Sequence, residues 1–442
     1  MSIARKVFCV AASFALPIIV LGYLVVRNID EHIAFAQLEL AGLAYQRPLC
    51  ILLRDLQEHQ RLERRCPEGE DCSERISGLR DSITGTLAAL RSVDLRYGVM
   101  LQFTGEGLAK RGRQLATVEN LRHGWEQLAS AQAGGKATAP ERDPRYDRLA
   151  DSIQTMLTHV NDSSNLILDP ELDTYHLITA ASVLLPRTQD RLAQVIAAGR
   201  DALARRSIPP AQRMALATQA TFLEQADRDQ IKSHLDTALS ENKNQFHGVL
   251  DSFQKDVPIA YAGYAEAADA FIARTRRLAD GAVPLPGIDD YIAAGVRARE
   301  ASFRLWEAST AELGILIQAR IAYYVRRKVT ALLLSGLTLL LACILAYRIA
   351  TSLIHPLDKL SRLLTPGADL LDGSVQKLTA FTQDETQDLV SMRIICDELD
   401  EHAVNMRKTA KELAVIVDGR GVLIRYDASS PEKKSGHPED HP

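Results

Sequence analysis

Two uncharged apolar stretches, residues 7–26 and 329–347, enclose a long polar interior. Each has the roughly twenty consecutive apolar residues that an α-helix needs to cross a hydrocarbon core about 30 Å thick. Neither shows the polar edge of an amphipathic core helix. The expectation is two membrane helices, 7–26 and 328–350. Residues 27–327 then lie on one side, and residues 1–6 and 351–442 on the other.

A cleaved signal peptide is the alternative for the first stretch. Arg5 and Lys6 suit it, but Val25-Val26-Arg27-Asn28 lacks the small-residue cleavage pattern, so an uncleaved anchor is expected. Arg5 and Lys6, with Arg348, Lys359 and Arg362, place both termini inside, while Arg326, Arg327 and Lys328 oppose that orientation.

The formal charge of the 442 residues is −4, so there is no basic excess of the kind that marks nucleic-acid binding. Aromatics are only 5% against 46% apolar residues, and Ala and Leu dominate, which suits long helices better than sheets. Strand and hairpin signals are missing. The fold class expected is all-α: one long or two stacked antiparallel bundles between the crossings.

Helical patterning runs from the membrane to about Arg65, with Ile33, Ala36, Leu40 and Leu43 as one stripe. A second and a third helix are expected between Ser73 and about Ala133. The Gly134–Pro140 run, followed by Pro144, reads as a loop. Further helices are expected over 146–168 and 170–206. Another opens at Pro209-Pro210, where Pro258 is a candidate interruption. The last follows Pro286 and carries Phe303, Trp306, Thr310, Leu313, Ile317 and Tyr324 at three- and four-residue spacing into the second apolar stretch.

Six cysteines are unevenly spread. Cys66 and Cys72 flank a tight turn on the side of the membrane that permits disulfides, and a clip there would contribute about 2 kcal/mol. No zinc-ligand spacing accompanies them, and no metal, cofactor or catalytic motif is found. The expectation is a chain that is not an enzyme.

Beyond the second crossing, Leu353, Leu357, Leu360 and Leu364 keep a four-three rhythm, and Thr365-Pro366-Gly367 reads as a break. A heptad stripe follows: Leu389, Met392, Cys396, Leu399, Ala403, Met406, Ala410, Leu413 and Val417. Such stripes need a second copy to bury them, so a homodimer is expected.

Residues 351–406 resemble a HAMP signalling domain. The likeness rests on Ile354-His355-Pro356-Leu357 after the membrane helix and on Asp384-Glu385 opening the second helix; it departs at Thr386-Gln387, where the family carries glycine. The resemblance implies a parallel coiled-coil dimer packed through Pro356, Leu357, Leu360, Leu364, Glu385, Leu389, Met392, Leu399 and Met406. Residues 407–442 are expected to be a coiled-coil extension and a tail. Within it, Asp418-Gly-Arg-Gly-Val-Leu-Ile-Arg-Tyr426 is similar to the opening strands of a PAS domain.

The outer region also has echoes. Residues 33–48 and the run Asp162-Ser-Ser-Asn165-Leu-Ile-Leu-Asp169-Pro170-Glu-Leu-Asp173-Thr-Tyr175 resemble segments of bacterial chemoreceptors and sensor kinases. That resemblance implies a multi-pass protein of the bacterial inner membrane with a periplasmic helical sensing bundle and both termini cytoplasmic. It also implies a cytoplasmic signalling partner and a small periplasmic ligand.

Candidate ligand residues fall in two groups. Arg54, His59 and Arg61 on the first outer helix could hold an anion by charge-assisted hydrogen bonds, or form a solvated face. Asp162, Ser163, Asn165 and Asp169 could line a polar pocket, or Asp169-Pro170-Glu171 could simply start a helix. His402 lacks the residues that follow a kinase phosphohistidine. Without a recognisable output domain, two other readings stand beside the receptor: a membrane scaffold forming mixed dimers, and half of a split sensor kinase.

Overall fold

A computed structural model describes residues 3–65, 72–133, 139–205, 208–244, 248–281, 285–383, 394 and 397–409. Among these residues every regular element is a helix, as the composition dictates. The chain divides into two compact units, Tyr23–Leu332 and a second that joins Met1–Gly22 with Leu333–Pro442.

Helix α1 spans Ile3–Arg65, α2 Ser73–Tyr97, α3 Gly105–Lys110, α4 Val118–Ala133 and α5 Ala139–Ser163. The stretch expected to hold two helices between Ser73 and Ala133 thus holds three. The short α3 is capped by the Thr104 hydroxyl, which accepts from Gly107 N at 3.1 Å. Proline limits α5 less than expected: Pro140 falls in its first turn, where no helical donor is lost, and Pro144 sits inside it.

After a 3-10 turn at Leu166–Leu168 come α6 (Leu172–Ile178), a π-helical segment Thr179–Leu184 and α7 (Leu185–Ala204). Next are α8 (Pro210–Thr221), a second π-helical segment Phe222–Arg228 and α9 (Asp229–Asn242), with Pro210 at the first helical position. Helix α10 (Asp251–Asp280) runs straight through Pro258, so that expected interruption does not occur. Proline forfeits one i→i−4 bond there, and Phe253, Val257, Tyr264 and Phe271, all buried, hold the helix on either side. Gly281 ends it in the left-handed region at φ 70°.

Helix α11 spans Ile288–Gln383. The expected break at Thr365-Pro366-Gly367 is therefore not formed: the backbone stays helical through all three residues. One lost bond and one glycine are local costs of a few kcal/mol, and they do not end a helix whose neighbouring turns remain bonded. Lys377 pairs with Glu398 at 2.9 Å, which sets the helix at residues 397–409 against the end of α11.

Within Tyr23–Leu332 one continuous apolar core is buried. In it α2 packs on α4, α4 on α5, α6 on α9 and α8 on α10. The aromatic stripe of α11 is buried as its spacing requires, with Phe303, Trp306, Leu313 and Ile317 all inside. Two glycines let α7 and α11 meet closely. A Cβ on Gly199 would lie 2.3 Å from the Tyr291 ring, and one on Gly295 2.3 Å from Ile196 Cγ1.

In the other unit, α11 is the one helix among the described residues long and apolar enough to cross a membrane. Its most apolar window has mean hydropathy 2.5 and is wholly unburied. The first stretch, 7–26, is helical as part of α1, with Leu16, Ile19, Leu21 and Leu24 exposed, but the side chains of residues 7–11 lie outside those described. A Cβ on Gly22 would stand 3.2 Å from Ser335 Oγ, so α1 and α11 run close together at this small residue.

Candidate functional site

A cavity with many charged side chains on its walls lies where four helices of the 23–332 unit face one another. The cavity holds about 330 Å³. Helix α1 supplies Leu56, Gln57, Gln60, Arg61 and Arg64, which share a face at three- and four-residue spacing. Helix α5 adds Tyr146, Asp147, Ala150 and Asp151; α7 adds Asp190, Ala193, Gln194, Ile196, Ala197 and Arg200; α11 adds Ile288, Asp289, Ile292 and Arg299.

The charges on these walls are held, not loose. Gln57 Nε2 donates to Asp190 Oδ1 at 2.9 Å, and Gln194 Nε2 donates to Asp190 Oδ2 at 2.9 Å. Burial, together with the carboxylates of Asp151 and Asp147, pushes Asp190 above the usual carboxylate range. Arg61 Nε donates to Glu58 Oε2 at 2.8 Å. Burial opposes ionisation of Glu58, yet the Arg61 bonds, with Arg299 and Arg75 nearby, hold it below its ordinary value.

Arg299 is 6% exposed and donates from Nη2 to the Arg54 carbonyl at 2.7 Å. Burial pushes its guanidinium down to about 10, against the pull of Glu58. Arg200 Nη2 donates to the Arg64 carbonyl at 3.1 Å.

The first group of sequence candidates meets this cavity only in part. Arg61 lines it. Arg54 lies outside, pairing with Asp55 at 2.9 Å, its side chain 40% exposed. His59 is fully buried, its Nδ1 2.6 Å from the Tyr146 hydroxyl and its ring edge-on to Trp125. Burial and Arg80 push its imidazole down to about 4, so it serves as a neutral core residue and not as an anion ligand.

The second group does not form one pocket. Asp162 pairs with Arg113 at 2.7 Å and borders a separate cavity of about 620 Å³ between α5 and α7, which shares Asp190 and Gln194 with the first. Ser163 Oγ donates to the His159 carbonyl at 2.7 Å, an intrahelical bond. Asn165 sits in the left-handed region at φ 63° and makes the turn after α5. Asp169 Oδ1 accepts from Glu171 N at 2.8 Å, so Asp169 does organise the local turn, although α6 begins only at Leu172.

Asp169 also has a larger role. Arg320 of α11 donates to it from Nη1 at 2.8 Å and to Glu39 of α1 from Nη2, and Nη1 stands 3.7 Å from Glu171. The Arg320 side chain is 3% exposed and those of Glu39 and Asp169 0%. Burial, then the Asp169 charge, drives Glu39 up to about 9 despite Arg320. At neutral pH the cluster is therefore a buried Arg320–Asp169 ion pair with a protonated Glu39 beside it.

Neither Arg320 nor Glu39 was anticipated from sequence. The signal was present, since Arg320 falls three residues after Ile317 in the buried stripe of α11 and Glu39 three after Ala36 in that of α1. A charge inside an apolar stripe marks a buried pair. Asp190, Arg200 and Arg299 were missed for a different reason: single charges on separate helices carry no pattern until the helices pack.

Among the described residues no cluster of three metal-ligating side chains occurs. Cys72 is buried and free, and Cys66 lies outside the described residues. Pro356, Leu357, Leu360 and Leu364 have helical backbone in α11, but their side chains lie outside those described; Glu385, Leu389 and Met392 lie outside altogether. Leu399 is half-buried and Met406 is 44% exposed. Comparisons with protein-family models, with curated proteins and with solved structures find no match.

Proposed function

We propose that the chain is a bacterial inner-membrane receptor of two crossings, in which residues 27–327 form a periplasmic sensing module of one or two stacked four-helix bundles. A small ligand enters the cavity between α1, α5, α7 and α11. It stabilises one packing of these helices over another, and the difference in affinity for the two sets how far the population shifts. The response passes inward along α11 to a tail whose likeness to HAMP rests on Ile354-His355-Pro356-Leu357 and Asp384-Glu385. There a second copy of the chain and a cytoplasmic partner read it.

One observation carries this reading. The helix that lines the cavity with Ile288, Asp289, Ile292 and Arg299 is, by its residue range, the helix that holds the apolar membrane-length stretch. A helix of unbroken hydrogen bonds resists bending, so a displacement at one end is felt at the other.

The test uses the full chain in lipid nanodiscs. Thermal unfolding is followed against a panel of amino acids, organic acids and inorganic anions, and stabilisation by at least one compound is expected. Cysteines placed at Leu389 and Met392 are expected to trap a two-chain species in intact membranes. No stabilisation anywhere in the panel would favour a scaffold, and no cross-linked pair would remove the relay.

A further inference from the structure

We propose that His176 of α6 and His234 of α9 form a two-histidine site for a late divalent transition metal, copper(II) or nickel(II), independently of the receptor reading above.

Two packed helices bring the imidazoles together. The Nδ1 atoms of His176 and His234 stand 2.9 Å apart, and the ring centroids 5.0 Å apart at a tilt of 45°. The backbones beneath them are fixed by apolar packing, with Leu177 and Ile178 of α6 and Ile231, Leu235 and Ala238 of α9 all buried. Asn242 Nδ2 donates to Asp173 Oδ2 at 3.0 Å, a second polar tie between the same helices. The pair is therefore positioned by contacts that do not depend on either imidazole, which is the preorganisation a metal site needs.

The local backbone points the same way. A π-helical segment, Thr179–Leu184, follows α6 three residues after His176 and packs on α9; another, Phe222–Arg228, leads into α9. Such turns reset the phase of a helix and occur mostly at functional sites.

The separation of the nitrogens selects the metal. Imidazole nitrogens bind these ions at about 2.0–2.1 Å. At that bond length two nitrogens stand about 2.9 Å apart when they subtend a right angle, and about 3.3 Å apart at the tetrahedral angle. The right angle is the geometry of copper(II) and nickel(II).

The chemistry balances without a counter-charge from the protein. A hydrogen bond between two Nδ1 atoms already requires one of them to be an unprotonated acceptor. The other ring passes its Nδ1 proton to water and takes one up at Nε2, so both rings stay neutral and offer a lone pair. The ion replaces one neutral hydrogen bond and breaks no salt bridge. Both rings are half-buried, which leaves them room to turn toward an ion on the solvent side. No third His, Cys, Asp or Glu completes a cluster among the described residues, so water fills the remaining positions.

The experiment is calorimetric titration and pulsed EPR of the full chain in nanodiscs at pH 7.5, with copper(II), nickel(II) and, as a control, magnesium. The starting form carries His437→Asn and His441→Asn, which removes the histidines of the tail. It is expected to bind one copper per chain with two imidazoles coupled to it, and its Tm is expected to rise with nickel and not with magnesium. His176→Gln and His234→Gln should each weaken copper binding at least tenfold and leave one coupled imidazole, with helical circular dichroism unchanged. Copper bound as tightly, and by two imidazoles, after both substitutions would overturn the site, as would no binding to the starting form. Should a glutamine variant fail to fold, the starting form alone decides through diethyl pyrocarbonate labelling read by mass spectrometry. Copper is expected to protect His176 and His234 together, and protection of other histidines instead would overturn the assignment.

Discussion

Arg320→Met should unfold the helices of the 23–332 unit more easily than any other single change at a charged residue. Arg320 is the only cation paired with Asp169 and Glu39 among the described residues, and its side chain is 3% exposed. Removing one member of a buried pair strands the other charge, at a cost of about 3–5 kcal/mol. For a unit of this size that is a fall in Tm on the order of 6–15 °C. Glu39→Gln should behave differently, because Glu39 already carries its proton at neutral pH. Its replacement should cost no more than about 1 kcal/mol near pH 4.5, and above that pH Glu39→Gln should become the more stable, by up to about 1.4 kcal/mol per unit, because Gln is neutral without binding a proton.

The pH dependence follows from the same group. Folding raises the Glu39 carboxyl from 4.5 to about 9, so the native state binds the extra proton between those values. Stability from Glu39 is full below about 4.5 and is lost as pH rises toward 9, at up to about 1.4 kcal/mol per unit. Circular-dichroism melts of parent, Arg320→Met and Glu39→Gln between pH 5 and 9 measure both effects. The difference between parent and Glu39→Gln should grow steadily with pH. If Arg320→Met melts within 2 °C of the parent, or Glu39→Gln at pH 7 is as damaging as Arg320→Met, the charge assignment is refuted.

Two further outcomes are expected. Gly199→Ala and Gly295→Ala should each cost about 1–3 kcal/mol, because the new methyl would collide with Tyr291 or Ile196; Gly78→Ala, with open space around it, should stabilise by about 0.5–1 kcal/mol in the same chemical-denaturation assay. His59 titrates near 4 when folded and near 6.5 when unfolded, so its contribution is complete above about 6.5 and falls away as pH drops toward 4, by about 3 kcal/mol in all; a NMR titration of its ring should show a neutral imidazole down to pH 5, and protonation above pH 6 would contradict its burial.

The sequence by itself determined that the chain is all-α, where its longest helices run and which face of each is apolar. Those properties are local: three- and four-residue periodicity, proline and glycine at helix ends, and uninterrupted apolar length are all set within a few turns. The aromatic stripe of α11 and the span of α1 to Arg65 were legible for that reason. The same local logic failed at Pro258 and at Thr365-Pro366-Gly367, because one weak position is outvoted by the hydrogen bonds and packing around it.

Only the tertiary structure decided which charges meet. His59 looked like an anion ligand among its neighbouring arginines, yet packing against Trp125 and Tyr146 made it a neutral core residue. Asp169 looked like a helix start and proved to be the partner of a residue 151 positions away. The cavity draws its acids from α5, α7 and α11 and its arginines from α1, α7 and α11. Electrostatic pairing depends on distance in space and on the water excluded between the groups, and neither is written in the spacing of residues along one helix.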